Sequence, residues 1–193
     1  MKNSGELIVI TGPMFAGKTK MLLEKFQKAS RKRRAILFKS GMDNRYSETE
    51  VVAHDGTRLP AAILPDGEEC IRTLKEARNK YDIIGIDEGQ FWQDTKGFSY
   101  ALHELVFDSK TVYVSMLNKN SDGHPFSTSM ELIPLADRVY VLRAECSKCG
   151  GKANFTQKVI NGVETFGYDI SSAGSNRYEA RCRRHFVRPG KSN

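Results

Sequence analysis

The chain has 193 residues, 39% of them hydrophobic and 27% charged, with 30 Lys and Arg against 23 Asp and Glu for a net charge of +7. That length suits one ordinary domain, or one with a small appendage, and the composition is that of a globular protein with a core, not a disordered chain. No apolar run approaches the ~20 residues of a membrane helix, and the opening segment, which carries Glu6 and runs into a strand-like stretch, is unlike a secretory leader.

Residues 7–11 form a short apolar run bounded by Gly12 and Pro13, the pattern of a buried parallel strand. Met21, Leu22, Leu23, Phe26 and Ala29 recur at helical spacing, so a helix is predicted from Lys18 to about Arg33. Its other face is Lys20, Lys25, Lys28, Arg31 and Lys32. A second strand is read at 35–39, a turn-rich stretch at 40–56 and a strand at 59–64. A helix over 70–81 leads to a buried strand at 82–86 that ends on Asp87 and Glu88. A helix at 98–107, a strand at 111–116 and a last strand at 138–142 complete the pattern. Apolar strands alternating with helices imply an α/β fold with a parallel sheet. After Leu142 no clear period remains, and a boundary is placed there, dividing 1–142 from 143–193.

The charge is concentrated. Residues 18–39 hold nine Lys or Arg and one Glu, residues 177–191 hold six and one, and the long middle is mildly acidic. Such blocks bind polyphosphates as readily as nucleic-acid polymers, and a solvated helix face is the plain alternative. Neither interleaved aromatics nor helicase-like motifs accompany them, which argues against a polymer partner.

Gly12, Pro13, Met14, Phe15, Ala16, Gly17, Lys18 and Thr19 match G-x-x-x-x-G-K-[ST], between a predicted strand and a predicted helix. Backbone N–H groups of such a loop curl around phosphate oxygens, and the helix dipole adds to them. Lys18 is expected to reach the β- and γ-phosphates and Thr19 to ligate Mg²⁺, so the loop predicts a nucleoside triphosphate as ligand. Asp87 and Glu88 stand at a strand's C-terminal end, where parallel sheets gather ligands. Asp87 is expected to hold Mg²⁺ and Glu88 to act as a general base. These two elements leave open whether that base acts on water or on an acceptor hydroxyl.

Cys146 and Cys149 form C-x-x-C, and Cys182 and His185 form C-x-x-H, 32 residues further on. Three thiolates and an imidazole make a closed, structural Zn²⁺ site, with buried free thiols as the alternative. Cys70 has no partner pair and reads as a core residue.

Taken together these motifs resemble the cytosolic thymidine kinase family, from about Glu6 to His185. The family's G-P-M-F-[SA]-G-K stands here at 12–18, and D-E-[AG]-Q-F appears as Asp87, Glu88, Gly89, Gln90 and Phe91. D-x-R-Y followed by H-D appears at Asp43–Tyr46 and at His54 and Asp55, the late P-F at Pro125 and Phe126, and Tyr178 precedes Cys182 at the family's spacing. The resemblance implies a P-loop NTPase (RecA-like) parallel sheet flanked by helices, plus a small zinc-binding lasso domain that lids the substrate. It implies transfer of the ATP γ-phosphate to the 5′-hydroxyl of thymidine or deoxyuridine, with Glu88 as base and Arg45 clamping the phosphates. Met14, Phe91, Leu117, Thr156 and Tyr178 would line the nucleoside pocket. A cytoplasmic homotetramer, feedback inhibition by dTTP and a role in supplying DNA synthesis are further implications. Two departures stand out: Ser121 where the family has Phe in L-D-x-x-F, with Asn118 for its Asp, and Ala173 where a glycine is usual.

Overall fold

Residues 4–41, 49–167 and 176–190 are described by the computed structural model. The first part of the chain runs β1 (Glu6–Gly12), α1 (Lys18–Ser30), β2 (Ala35–Ser40), β3 (Glu50–Val52), β4 (Arg58–Pro60) and β5 (Ala62–Leu64). Next come α2 (Gly67–Lys80), β6 (Ile83–Asp87), α3 (Thr95–Phe107), β7 (Thr111–Leu117), α4 (Ser127–Leu135) and β8 (Arg138–Val141). The last part holds β9 (Ala144–Glu145), β10 (Lys152–Ala153), β11 (Phe155–Ile160), β12 (Val163–Thr165) and β13 (Asn176–Arg181).

Six strands form one parallel sheet in the order β5-β2-β6-β7-β1-β8. Its strands are apolar on both faces because helices cover both. Successive residues point to opposite sides, so one run of sequence feeds two cores. Leu7 and Val9 of β1, Ile84 and Ile86 of β6, and Val112 and Val114 of β7 join the core shared with α2, α3 and α4. Ile10 and Ile83 face the other way, where Leu22, Leu23 and Phe26 of α1 and Val51 of β3 close a second core. The α/β parallel sheet read from the sequence is the one observed.

Helices α2 and α3 each begin three residues before the predicted start. Asp66 accepts from the Gly67 N–H (2.9 Å) and Asp94 from the Gly97 N–H (3.0 Å), so side-chain caps start both helices ahead of their apolar stripes. The strand predicted at 59–64 is in fact two. Arg58–Pro60 pairs antiparallel with β3, whereas Ala62–Leu64 joins the edge of the main sheet. Pro60 has no N–H to extend a ladder, and Ala61 donates to Thr49 O (2.9 Å) instead.

Helix α4 was not foreseen, for a physical reason. Its inward residues include Thr128 and Ser129, whose hydroxyls donate to Trp92 O (3.4 Å) and Leu117 O (2.7 Å), and Pro134 sits in its last turn. The apolar period is therefore hidden. The strand at 138–142 is not the last, which corrects the sequence reading. β9 and β10 form a ribbon, and β12-β11-β13 form an antiparallel sheet. These strands are short and partly charged, so no period could develop. Ala144, Cys146, Ala153 and Ala180 cluster there against Ala16 of the glycine-rich loop. Among the described residues, no helix is long and apolar enough to cross a membrane.

Leu102 is fully buried between α3 and the sheet. Leu102→Ala should lower the unfolding free energy by about 3–5 kcal/mol in a denaturant titration, the cost of lost burial plus an unfilled cavity.

Candidate active site and metal centre

The glycine-rich loop joins β1 to α1 and needs both of its glycines. At Gly12, φ is 153° and a Cβ would lie 2.6 Å from Leu142 O, while Gly17 caps α1 in the left-handed region at φ 79°. Lys18 is buried and its ammonium donates to Pro13 O (2.8 Å), curling its side chain back over the loop. Phe15 is half exposed at φ 65°, its ring 5.6 Å from that of His54 in the β3–β4 turn. The next residue of that turn, Asp55, pairs with Lys20 of α1 at 2.9 Å. The Lys20 ammonium, aided by the Thr57 N–H, holds the Asp55 carboxyl down at about 2. Two contacts thus dock the turn onto the loop, which makes His54 more than a free surface histidine. Arg45 lies outside the described residues.

Parallel register aligns the neighbouring strand ends. Pairing of Ile86 with Val114 brings Asp87 beside Ser115, and pairing of Gly12 with Leu117 brings the start of the loop beside the end of β7. Asp87 is buried; its carboxylate accepts from the Ser115 hydroxyl and faces the Thr19 hydroxyl at 3.2 and 3.4 Å. A hydroxyl and a carboxylate are hard oxygen donors of the kind Mg²⁺ takes, usually with waters. Glu88 follows at φ 56°, ψ 43°, a left-handed conformation that costs about 1–2 kcal/mol outside glycine. Its carboxylate accepts from the Gln90 amide, whose oxygen in turn accepts from the Leu117 N–H at 2.9 Å. The sequence reading gave no role to Gln90 or Ser115. One available signal was a lone serine inside the apolar run of β7, where a hydroxyl needs a reason.

Of the residues expected around the nucleoside, two meet directly. The Met14 N–H donates to Thr156 Oγ1 (3.0 Å), and Thr156 is buried on β11. Leu117 reaches Glu88 through Gln90. Phe91 ends the 3₁₀ turn Gly89–Phe91, and Tyr178 of β13 sits across from Lys158, on the same face of the small sheet as Thr156. Trp92 is a core residue, stacked on Phe98 at 4.7 Å with its indole N–H donating to Pro65 O (2.9 Å). Cys70 is buried too, and burial pushes its thiol up to about 12.

The ligand atoms of Cys146, Cys149, Cys182 and His185 lie within 4.8 Å of one another. Cys149 Sγ is 3.9 Å from Cys182 Sγ, and His185 Nδ1 is 3.7 Å from Cys146 Sγ and 3.4 Å from Cys182 Sγ. A tetrahedron with Zn–S of ~2.3 Å and Zn–N of ~2.0 Å has edges of roughly 3.5–3.8 Å, so the donor set fits structural zinc. Burial opposes ionisation of Cys146, but N–H groups at Cys182 and Lys148 and the His185 ring outweigh it and bring the thiol to about 6. Thiolate is the form a metal requires.

The family profile described as thymidine kinase matches residues 5–186. A thymidine kinase of Thermococcus kodakarensis is 42% identical over 194 residues, covering 98% of each chain. One from Pyrobaculum aerophilum is 38% identical, covering 95% of this chain and 99% of its own. One from Oryza sativa subsp. japonica is 39% identical, covering 95% of this chain and 66% of its own. The chain belongs to the thymidine kinase family.

As a member of the thymidine kinase family it is a kinase, and its departure at position 121 has a structural outcome. Ser121 is buried and its hydroxyl donates to Gly167 O (3.3 Å), while the Gly167 N–H donates to Asp122 Oδ1 (2.8 Å). Where an aromatic ring was expected, two polar side chains hold one backbone unit. Asn118, the second departure in that stretch, keeps a buried amide oxygen with no partner among the described residues. Ala173 lies outside the described residues.

Cys149→Ser should weaken zinc binding at least about 100-fold, since four ligands share roughly 10–16 kcal/mol of binding free energy. Metal content after dialysis against a chelator measures this, and limited proteolysis should then cut within residues 144–186.

Proposed function

We propose that this member of the thymidine kinase family transfers the γ-phosphate of ATP to the 5′-hydroxyl of thymidine, or of deoxyuridine, giving the nucleoside monophosphate. One observation carries the reading beyond family membership. The loop that would cradle the phosphates is hydrogen-bonded through Met14 to Thr156, so the phosphate side and the acceptor side of the site share one rigid link.

Phosphoryl transfer asks for alignment and charge neutralisation more than for covalent chemistry. The N–H groups of 12–19 and the Lys18 ammonium bind the triphosphate, and Arg45 adds a second cation. Thr19 and Asp87 would hold Mg²⁺, which would supply positive charge to offset that of the phosphates. Ser115 keeps the Asp87 carboxylate aimed at Thr19. Glu88 accepts the proton of the 5′-hydroxyl as that oxygen attacks phosphorus. Gln90, fixed by the Leu117 N–H, aims the Glu88 carboxylate away from the metal side. Two adjacent acids thereby take different work, because Asp87 is held by Ser115 beside Thr19 while Glu88 is held by Gln90. Met14, Phe91, Leu117, Thr156 and Tyr178 surround the base and sugar. Residues 143–193 form a lid held by structural zinc over the nucleotide-binding unit 1–142, and excluding water favours the bound hydroxyl over hydrolysis. In the same reading the protein is a cytoplasmic homotetramer, inhibited by dTTP, and takes neither a nucleic-acid polymer nor a membrane as partner.

ATP turnover should require thymidine and yield dTMP, with little turnover on single-stranded DNA or with no acceptor. DNA-stimulated hydrolysis without dTMP would overturn the reading. Glu88→Gln should hold thymidine with near-normal affinity in a calorimetric titration while kcat falls about 10²–10⁴-fold. An unchanged kcat would remove Glu88 from the role of base.

A further inference from the structure

The sheet formed by β11 and β13 has two chemically different faces. Thr156 pairs with Ala180 and Lys158 with Tyr178 on one face, and Phe155 pairs with Arg181 and Gln157 with Glu179 on the other. The first face meets the glycine-rich loop, through the Met14–Thr156 bond and through Ala180, which clusters with Ala16. The second carries an ionic network. Arg181 is 2% exposed. Its Nε and Nη2 donate to Glu179 Oε2 at 3.1 and 2.6 Å, and its Nη1 donates to His185 O at 3.3 Å and reaches Glu164 Oε1 of β12 at 3.5 Å. The same Glu179 oxygen accepts from the Ser147 hydroxyl at 2.8 Å, and the Ser147 N–H donates to Ala180 O at 2.9 Å.

Ser147 lies inside the C-x-x-C pair and His185 ends the C-x-x-H pair. One guanidinium–carboxylate pair, its arginine buried and its glutamate partly so, therefore grips both halves of the Cys/His cluster and the hairpin of β11 and β12. A buried ion pair is weak evidence for stability, because its desolvation offsets its attraction, but its planar fork fixes geometry. An ion bound at the cluster would hold the two halves at a set separation, and Ser147 and His185 O would then present fixed partners to Glu179 and Arg181.

We propose that Arg181, paired with Glu179, is a positioning residue that couples metal occupancy of Cys146, Cys149, Cys182 and His185 to the hairpin bearing Thr156. The consequence for thymidine rests on the proposed use of Thr156 beside the nucleoside. Linkage makes the coupling reciprocal: the ordered hairpin also favours metal binding.

Amide hydrogen exchange of residues 155–165, in the zinc-loaded and the chelator-stripped full chain, reads the coupling without catalysis. Stripping the unaltered protein should speed hairpin exchange about tenfold or more, the scale of one or two charged hydrogen bonds. Arg181→Met that still carries its zinc should exchange as fast as the stripped protein, with KM for thymidine raised more than KM for ATP, and little further effect of stripping. Arg181→Lys, which restores charge without the fork, should rescue only part of the protection. Zinc-loaded Arg181→Met with the protection and thymidine KM of the unaltered protein would overturn the proposal. Should Arg181→Met not fold, Glu164→Gln decides: faster exchange at 163–165 with full zinc content supports the coupling, and no change refutes it. Coupled exchange in a protein that makes no dTMP would sink the proposed function and leave the coupling standing.

Discussion

Parallel pairing of β6 with β7 and of β7 with β1 is the constraint on which the site depends. Register leaves no freedom in which residues end beside one another, and here it sets Asp87 beside Ser115 and Gly12 beside Leu117. A slip of one residue would turn Asp87 to the opposite face and send Ile86 to the site. Each core is packed around its own set of side chains, and that fit resists the slip. Burial of Leu7, Val9, Ile84 and Val114 against α2–α4, and of Ile10 and Ile83 against α1, is thus what aims the acids at the glycine-rich loop.

Around that frame the polar groups are arranged in short relays. Ser115 holds Asp87, Leu117 holds Gln90, Gln90 holds Glu88, and Thr156 holds Met14. All but the Gln90–Glu88 step cross from one element to another, so Asp87, Gln90 and Met14 are each held by a residue of a different strand. The C-terminal segment repeats the plan with metal ligands. Four donor atoms from two distant stretches meet within 4.8 Å, and the Glu179–Arg181 pair links them to the sheet that carries Thr156. Local strain appears at the candidate site: Glu88, next to Asp87, is held in a left-handed conformation.

Much of the fold was legible because its elements declare themselves locally. Strands of the main sheet are continuous apolar runs, α1 has a clean stripe at Leu22, Leu23 and Phe26, and α2 and α3 differed from expectation only at their capped starts. Helix α4 was illegible because Thr128 and Ser129 face inward to satisfy carbonyls, and the late strands because none is long enough to show a period. The replacement of a family aromatic by Ser121 read as a loss, yet Ser121 and Asp122 together hold Gly167. A missing side chain is visible in a sequence; the backbone group that takes its place is not.

By itself the sequence determined the parallel α/β class, the glycine-rich loop, the acids at the end of β6, the four clustered Cys and His residues and the family. Each of these is a residue type at a short, ordered spacing, and short-range chemistry is written along the chain. Only the tertiary structure decided that Gln90 and Ser115 aim the two acids, that Thr156 is bound to the phosphate loop, and that Arg181 joins the metal ligands to that sheet. Several of these contacts join residues 27 to 142 positions apart and Arg181 reaches Glu164 on another strand, although Gln90–Glu88 and Arg181–His185 are near neighbours in sequence. Strand register and the return of β11 to the glycine-rich loop create the distant ones, and no local pattern carries that information.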